Sequence, residues 1–218
     1  MSNNERATKS ATDYIDQLFE NHSKLQVLRL DLYHKKTEEG PRELKELKQD
    51  VAHLISNSRS NKSLFGHMKG KIIKYENGDG RGPHAHTILF FDGQKLQKDA
   101  HLGDEIGKYW SENITKGNGT YHNVNRNKEK FERVGIGMID QADTEKRQAL
   151  LEEVLPYLTK TDQSISTIKT NPKERCFSRG AMPKPKSNAG RPRKTETASE
   201  AVKAENNSED QLPCPSID

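Results

Sequence analysis

The hydrophobic positions of this chain change period several times, and each change predicts an element. From Lys24 to Tyr33 the residues read KLQVLRLDLY. Leu28, Leu30 and Leu32 point one way, and Leu25, Val27, Arg29, Asp31 and Tyr33 the other, as in a strand with a greasy face and a polar face. Before it, Ile15, Leu18 and Phe19 recur at helical spacing and predict a short amphipathic helix over Ala11–His22, behind a frayed polar start at residues 1–9. After it, Pro41 opens a helix to about Ser56, with Leu44, Leu47, Val51 and Leu54 forming one buried stripe. Residues 69–76 and 84–91 read as two strands of a hairpin, joined by the glycine-rich NGDGRGP, whose glycines tolerate positive φ. A helix follows over Gly103–Ile114, with Ile106, Tyr109 and Trp110 inward. KGNGTYHNVNRN reads as a loop, and Phe131–Ile139 as a last strand weakened by Gly135 and Gly137. Asp143 or Thr144 caps a final helix over Glu145–Leu155, with Leu150, Leu151 and Val154 inward.

The order βαββαβ, with a helix after it, predicts an α+β fold. It is a ferredoxin-like or RRM-like antiparallel sheet with its helices on one face. The other face is then free, which suits a flexible polymer better than a small buried ligand, although fold alone decides no function. The expected organisation is an N-terminal segment with a short helix (1–23), a catalytic-sized domain (24–168), a basic extension (169–194) and a disordered acidic tail (195–218).

Composition supports that division. Hydrophobic residues make up 30% of the 218, against roughly 45–50% in globular chains, which places the deficit in disordered ends. No apolar run approaches the roughly 18–20 residues that span a bilayer, and MSNNERATKS does not read as a signal peptide. The two cysteines, Cys176 and Cys214, lie in polar sequence outside the expected core, which fits a reducing bacterial cytoplasm and argues against a disulfide framework. The net charge of +4 conceals an asymmetry: residues 169–194 carry +8 and residues 195–218 carry −5. A basic block beside a near-neutral body points to a polyanionic partner, because neutralised phosphates release counterions. A solvated tail that merely aids solubility is the alternative.

Two constellations carry candidate chemistry. His84 and His86 are two apart on a predicted strand and project from one face. They can chelate one divalent ion, or form a hydrogen-bonded structural pair. Glu76, across the turn from His84, adds a carboxylate, and two imidazoles with one carboxylate suit Mg²⁺ or Mn²⁺ acting on phosphate esters. Asp79, His101 and His122 are the fallback ligands. In the second constellation, Pro156 stops or kinks the preceding helix and opens a new first turn. Tyr157 and Lys160 then share a face. A phenol becomes a nucleophile when a neighbouring ammonium or metal favours its phenolate, and Lys160 would also stabilise charge on a reacting phosphate. A packed ring beside a solvated amine is the ordinary alternative.

Taken together, an H-x-H strand followed 71 positions later by Tyr-x-x-Lys resembles the HUH endonuclease superfamily. The similarity is greatest to inovirus-type replication initiators and the YagK/YfjJ C-terminal domain family. RLDLYHK, PHAHTILFFDG, HLGDEIGKYW, VGIGMID, YLTKTDQ and the FSRG…GRPRK tail carry it, over roughly residues 24–194. Ala85 stands where a bulkier hydrophobe is frequent. The resemblance implies a rolling-circle initiator in which His84, His86 and Glu76 hold Mg²⁺ or Mn²⁺. Tyr157 would attack single-stranded origin DNA to give a 5′-phosphotyrosine, supported by Lys160, and the host replication machinery would extend the free 3′ end.

Arg179, Lys184, Lys186, Arg191, Arg193 and Lys194 are the expected DNA-binding residues of the basic extension. AGRPRK resembles a minimal AT-hook that enters a narrow minor groove, with a generic basic linker as the alternative. The rival function is a noncatalytic DNA-binding regulator of phage, prophage or plasmid origin. An RRM-like RNA binder lacks the aromatic pair expected on its sheet.

Overall fold

The computed structural model describes residues 3–38, 40–78, 80–160, 164–169, 171 and 173–185. The chain divides into two compact units, Met1–Lys186 and Ser187–Asp218, and every described residue belongs to the first. Lys186, Arg191, Arg193, Lys194 and the acidic tail therefore lie outside the described residues, as does Asp79.

Six antiparallel strands form one open sheet: β1 (Lys24–His34), β2 (Met68–Gly78), β3 (Gly82–Asp92), β4 (Gly119–Asn123), β5 (Gly137–Asp140) and β6 (Phe177–Arg179). Their order is β4-β1-β3-β2-β6, with β5 also on β1. One edge of β1 is shared, β5 pairing with Lys24–Val27 and β4 with Leu30–His34. Asn125 closes the gap between them. Its side chain donates to the Val27 carbonyl at 2.9 Å and accepts the Arg29 N–H at 2.8 Å, so no central-strand amide is stranded there.

The helices are α1 (Asn3–Asn21), α2 (Leu44–Asn57), α3 (Lys62–Phe65), α4 (Asp99–Tyr109), α5 (Thr144–Ala149) and α6 (Leu155–Thr159). The expectation of helices on one face only does not hold. Leu28, Leu30 and Leu32 pack under Leu47, Val51 and Leu54 of α2 and Ile106 of α4. Leu25, Val27, Ile72, Ile88 and Phe90 on the opposite face are covered by Tyr14, Ile15, Leu18 and Phe19 of α1 and by Leu150, Val154, Leu155 and Leu158. The physical reason lies in β1 itself. Its "polar" side carries Leu25 and Val27 at one end, and each needs a cover. Only the other end of that face is polar.

Several local expectations shift with this. Residues 3–9 are the first turns of α1 rather than a frayed start. The fourth strand is β4, within the segment read as a loop, while Phe131–Ile139 contributes only β5. A Cβ on Gly135 would stand 2.4 Å from the Leu150 backbone nitrogen, so this glycine serves a close helix approach and not a strand. Cys176 is buried, not loose, because the chain just after it adds β6 to the edge of β2 and the Cys176 carbonyl accepts the Tyr75 N–H at 2.7 Å. Asp143 does cap α5, accepting the Lys146 N–H at 3.0 Å. Pro156 does not break the helix. A π turn over Leu150–Val154 joins α5 to α6 and gives the proline ring room on a continuous path.

Candidate metal centre

Register builds the site. Opposite His86 of β3 stand Asp31 on β1 and Lys74 on β2, and opposite His84 stand Tyr33 and Glu76. Antiparallel partners share a face, so two neighbouring cross-strand rows bring these residues together at the polar end of the face that α6 covers. Glu76, His84 and His86 are all buried, and one ligand atom from each lies within 4.8 Å of the others. Among the described residues no other group of His, Cys, Asp and Glu converges in this way.

The hydrogen bonds fix which nitrogen faces the site. His84 Nδ1 lies 3.1 Å from the Gly82 carbonyl, to which it can only donate, and His86 Nδ1 lies 2.6 Å from Asp31 Oδ1. Both Nε2 atoms therefore turn inward, 3.2 Å apart, and Glu76 Oε2 sits 3.3 Å from His86 Nε2. Facing lone pairs at that separation require positive charge between them. A proton on His86 supplies it when no metal is bound. Burial opposes that charge, but the hydrogen bonds and charges of Asp31 and Glu76 outweigh it and raise the His86 pKa to about 9. Burial, together with the charge of His86, lowers His84. Asp31 and Glu76 are both held low: burial works against ionisation, and the bonds to His86 and the nearby cations overcome it.

A divalent cation fits the same place. Donors held about 2.1 Å from one ion in octahedral or tetrahedral geometry lie about 3.0–3.4 Å apart. His86 Nε2 has that spacing from both His84 Nε2 and Glu76 Oε2. The three ligand atoms together span up to 4.8 Å and close on an ion by a small rotation of the Glu76 side chain. Glu76 Oε1 is also buried without a hydrogen-bond partner among the described residues, and such an acceptor is costly unless a cation takes it up. Asp31 would orient His86 from behind, the usual carboxylate–histidine–metal arrangement.

Tyr157 of α6 is 48% exposed. The Arg29 guanidinium lies 4.6 Å and the Lys160 ammonium 4.4 Å from its ring centroid. Lys160 caps α6: its N–H still donates to the Pro156 carbonyl at 2.9 Å and its φ is −58°. Its side chain therefore leaves from the last helical turn on the face of Tyr157, and only the chain after it turns away. The charge of Lys160 also acts on Glu76, and Lys74 Nζ donates to the Lys160 carbonyl at 3.0 Å. The cluster and the tyrosine are thus joined through Lys160, Lys74 and Arg29.

Other expected residues fall elsewhere. His122 lies on β4, with Nδ1 3.7 Å from Asp31 Oδ2, outside the ligand set, and His101 is exposed on α4. Arg179 is occupied structurally: its Nε donates to Ser10 Oγ at 2.8 Å and its guanidinium lies over Tyr14. Lys184 is exposed, and its carbonyl accepts from Asn21. Asp31, Arg29 and Lys74 were not among the expected site residues. The available signal was two opposite charges inside a leucine-rich strand, which must find partners when buried.

These features define an α+β protein with a buried His–His–Glu candidate metal centre on an antiparallel sheet. The chain belongs to the YagK/YfjJ C-terminal domain family, whose sequence profile matches residues 2–180. That span takes in both α1 and β6. No curated protein and no solved structure matches the chain. Among the described residues, no helix is long and apolar enough to cross a membrane.

Proposed function

We propose that this protein is a metal-dependent nickase of single-stranded DNA, a rolling-circle initiator of the HUH type built on a ferredoxin-like sheet. The observation that carries the reading is the position of Lys160, whose ammonium lies over the Tyr157 ring and whose carbonyl accepts a 3.0 Å hydrogen bond from Lys74, the cross-strand partner of His86. It unites two motifs separated by 71 positions in the sequence. The strand order β4-β1-β3-β2, with helices linking β1 to β2 and β3 to β4, supports the fold reading.

In this reading His84, His86 and Glu76 hold Mg²⁺ or Mn²⁺, which would polarise a scissile phosphate. Tyr157 loses its phenolic proton to solvent and attacks phosphorus. The Tyr157 O–P bond forms as the P–O3′ bond breaks, and the departing 3′ oxygen takes up a proton. Lys160 and Arg29 set positive charge where the reacting phosphate is most negative. The product is a 5′-phosphotyrosine with a free 3′ hydroxyl, a primer for host polymerase at an origin.

Incubation with single-stranded DNA of the cognate replicon and Mn²⁺, followed by a denaturing gel, tests this. A covalent adduct is expected that disappears with Tyr157→Phe and with a chelator. Tight DNA binding and bound metal without an adduct would reject the nickase in favour of a noncatalytic DNA-binding protein.

A further inference from the structure

Beside the metal centre, where β1 leaves the sheet, lies an open pocket of about 350 Å³ walled by Tyr33, His34, Lys35, Lys36, Arg81, Thr120 and Tyr121. Its lining holds three cations and no carboxylate. Lys35, Lys36 and Arg81 are exposed, and among the described residues none pairs with a carboxylate; Arg81 hydrogen-bonds the Tyr33 hydroxyl. Two phenol rings accompany them. Tyr33 belongs to both sites, since its ring stacks on His84 with centroids 5.3 Å apart and planes 21° from parallel. The walls are firm: Tyr121 rests against Gly107 of α4, and His34 stacks on Trp110 and meets Asp50 at 2.9 Å.

Unneutralised cations around aromatic faces match a nucleotide, whose phosphate takes the charge and whose base takes the rings. The size lies at the lower end of ligand pockets, about 300–1,000 Å³, so a base enters unpaired. We propose that this pocket binds one nucleotide of single-stranded DNA flanking the reacting phosphate, with Lys35, Lys36 and Arg81 on the backbone and Tyr33 and Tyr121 beside the base. The inference deepens the nickase reading and rests on it for the identity of the strand. It also puts sequence-independent grip on the folded body itself.

The test is anisotropy of a labelled short oligothymidylate with the full-length protein, free of metal so that cleavage does not interfere. Lys35→Ala/Lys36→Ala/Arg81→Ala should weaken binding at least about tenfold and reduce the salt slope by about 0.7–1.4, since the one or two phosphates flanking a single bound nucleotide contribute about 0.7 each. Tyr121→Leu, which keeps an apolar side chain against Gly107, should weaken binding at least about fivefold, in line with loss of one stacking contact. A duplex of the same sequence should bind without sensitivity to Tyr121→Leu. Mn²⁺ affinity and melting temperature should be unchanged in the triple variant, separating the pocket from the metal centre and from folding. Wild-type affinity in the triple variant, or no oligonucleotide binding by the wild type, would overturn the pocket. A pocket-dependent loss of binding in a protein that never forms a Tyr157 adduct would instead uphold the pocket and remove the nickase.

Discussion

Asp31 decides how His86 presents itself. Its carboxylate holds His86 Nδ1 at 2.6 Å and is itself approached by Arg29 at 3.8 Å, so Nε2 is left to face His84 and Glu76. An amide at position 31 would keep the shape, remove the charge and let the ring adopt either tautomer. Asp31→Asn is therefore expected to lower Mn²⁺ affinity about 10–100-fold, measured by titration of the metal's paramagnetic resonance signal. Unchanged affinity would remove Asp31 from the metal's support. The same pairing makes a statement about pH in the metal-free protein. His86 has its folded pKa raised to about 9 from 6.5, so its charged pair stabilises the fold fully below about pH 6.5. That contribution, about 3 kcal/mol at most, is lost as pH rises through about 9. Urea unfolding of chelator-treated protein should show the decline, and His86→Gln should flatten it.

At the level of elements, α1 is the least expected contributor to the core. Tyr14, Ile15, Leu18 and Phe19 are each no more than 1% exposed and close the second layer over Ile72, Ile88 and Phe90. Leu18→Ala should cost about 2–5 kcal/mol, read as a shift in the unfolding midpoint. A loss under about 0.5 kcal/mol would show α1 to be peripheral. Gly135→Ala should destabilise by about 1–3 kcal/mol, because a Cβ meets helix backbone that has no side chain to move aside. β1, β2 and β3 were legible within a few residues because their alternation is long and their hairpin turn glycine-rich. Glu76, His84 and His86 followed directly, since register on a hairpin converts spacing into proximity. What hid the second helical layer was Arg29 and Asp31, which make one face of β1 look solvated when they serve a buried site. β4 escaped because five residues, GTYHN, are too few to show a period. β6 lay hidden in a segment whose charge suggested a tail. The π turn was equally unreadable, being a compromise between Pro156 and the burial of Leu150 and Val154 on one helical path.

On the scale of the whole molecule, charge is distributed against its own apparent purpose. The folded body presents Lys35, Lys36 and Arg81 beside a site read as acting on a polyanion, while the last 24 residues carry −5. If the protein grips single-stranded DNA as proposed, a covalently linked acidic segment is expected to compete with that DNA for the same cations at high effective concentration. Its influence reaches about 10 Å at 0.1 M salt and shortens as salt rises. Truncation after Lys194 keeps Arg191, Arg193 and Lys194 and removes only the acidic stretch. It is expected to tighten single-strand binding several-fold at low salt, with the two affinity curves converging as salt is raised. The Tyr157-dependent adduct should form at the same end point in both proteins, since no group assigned to the chemistry lies beyond residue 160. Anisotropy across a salt series separates the possibilities: parallel curves would mean that the tail contacts DNA or the site by specific bonds, whereas coincident curves would mean that it does not compete at all. Convergence alone fits a screened competitor, and it would make the tail a brake on non-specific binding that a matched origin strand overcomes.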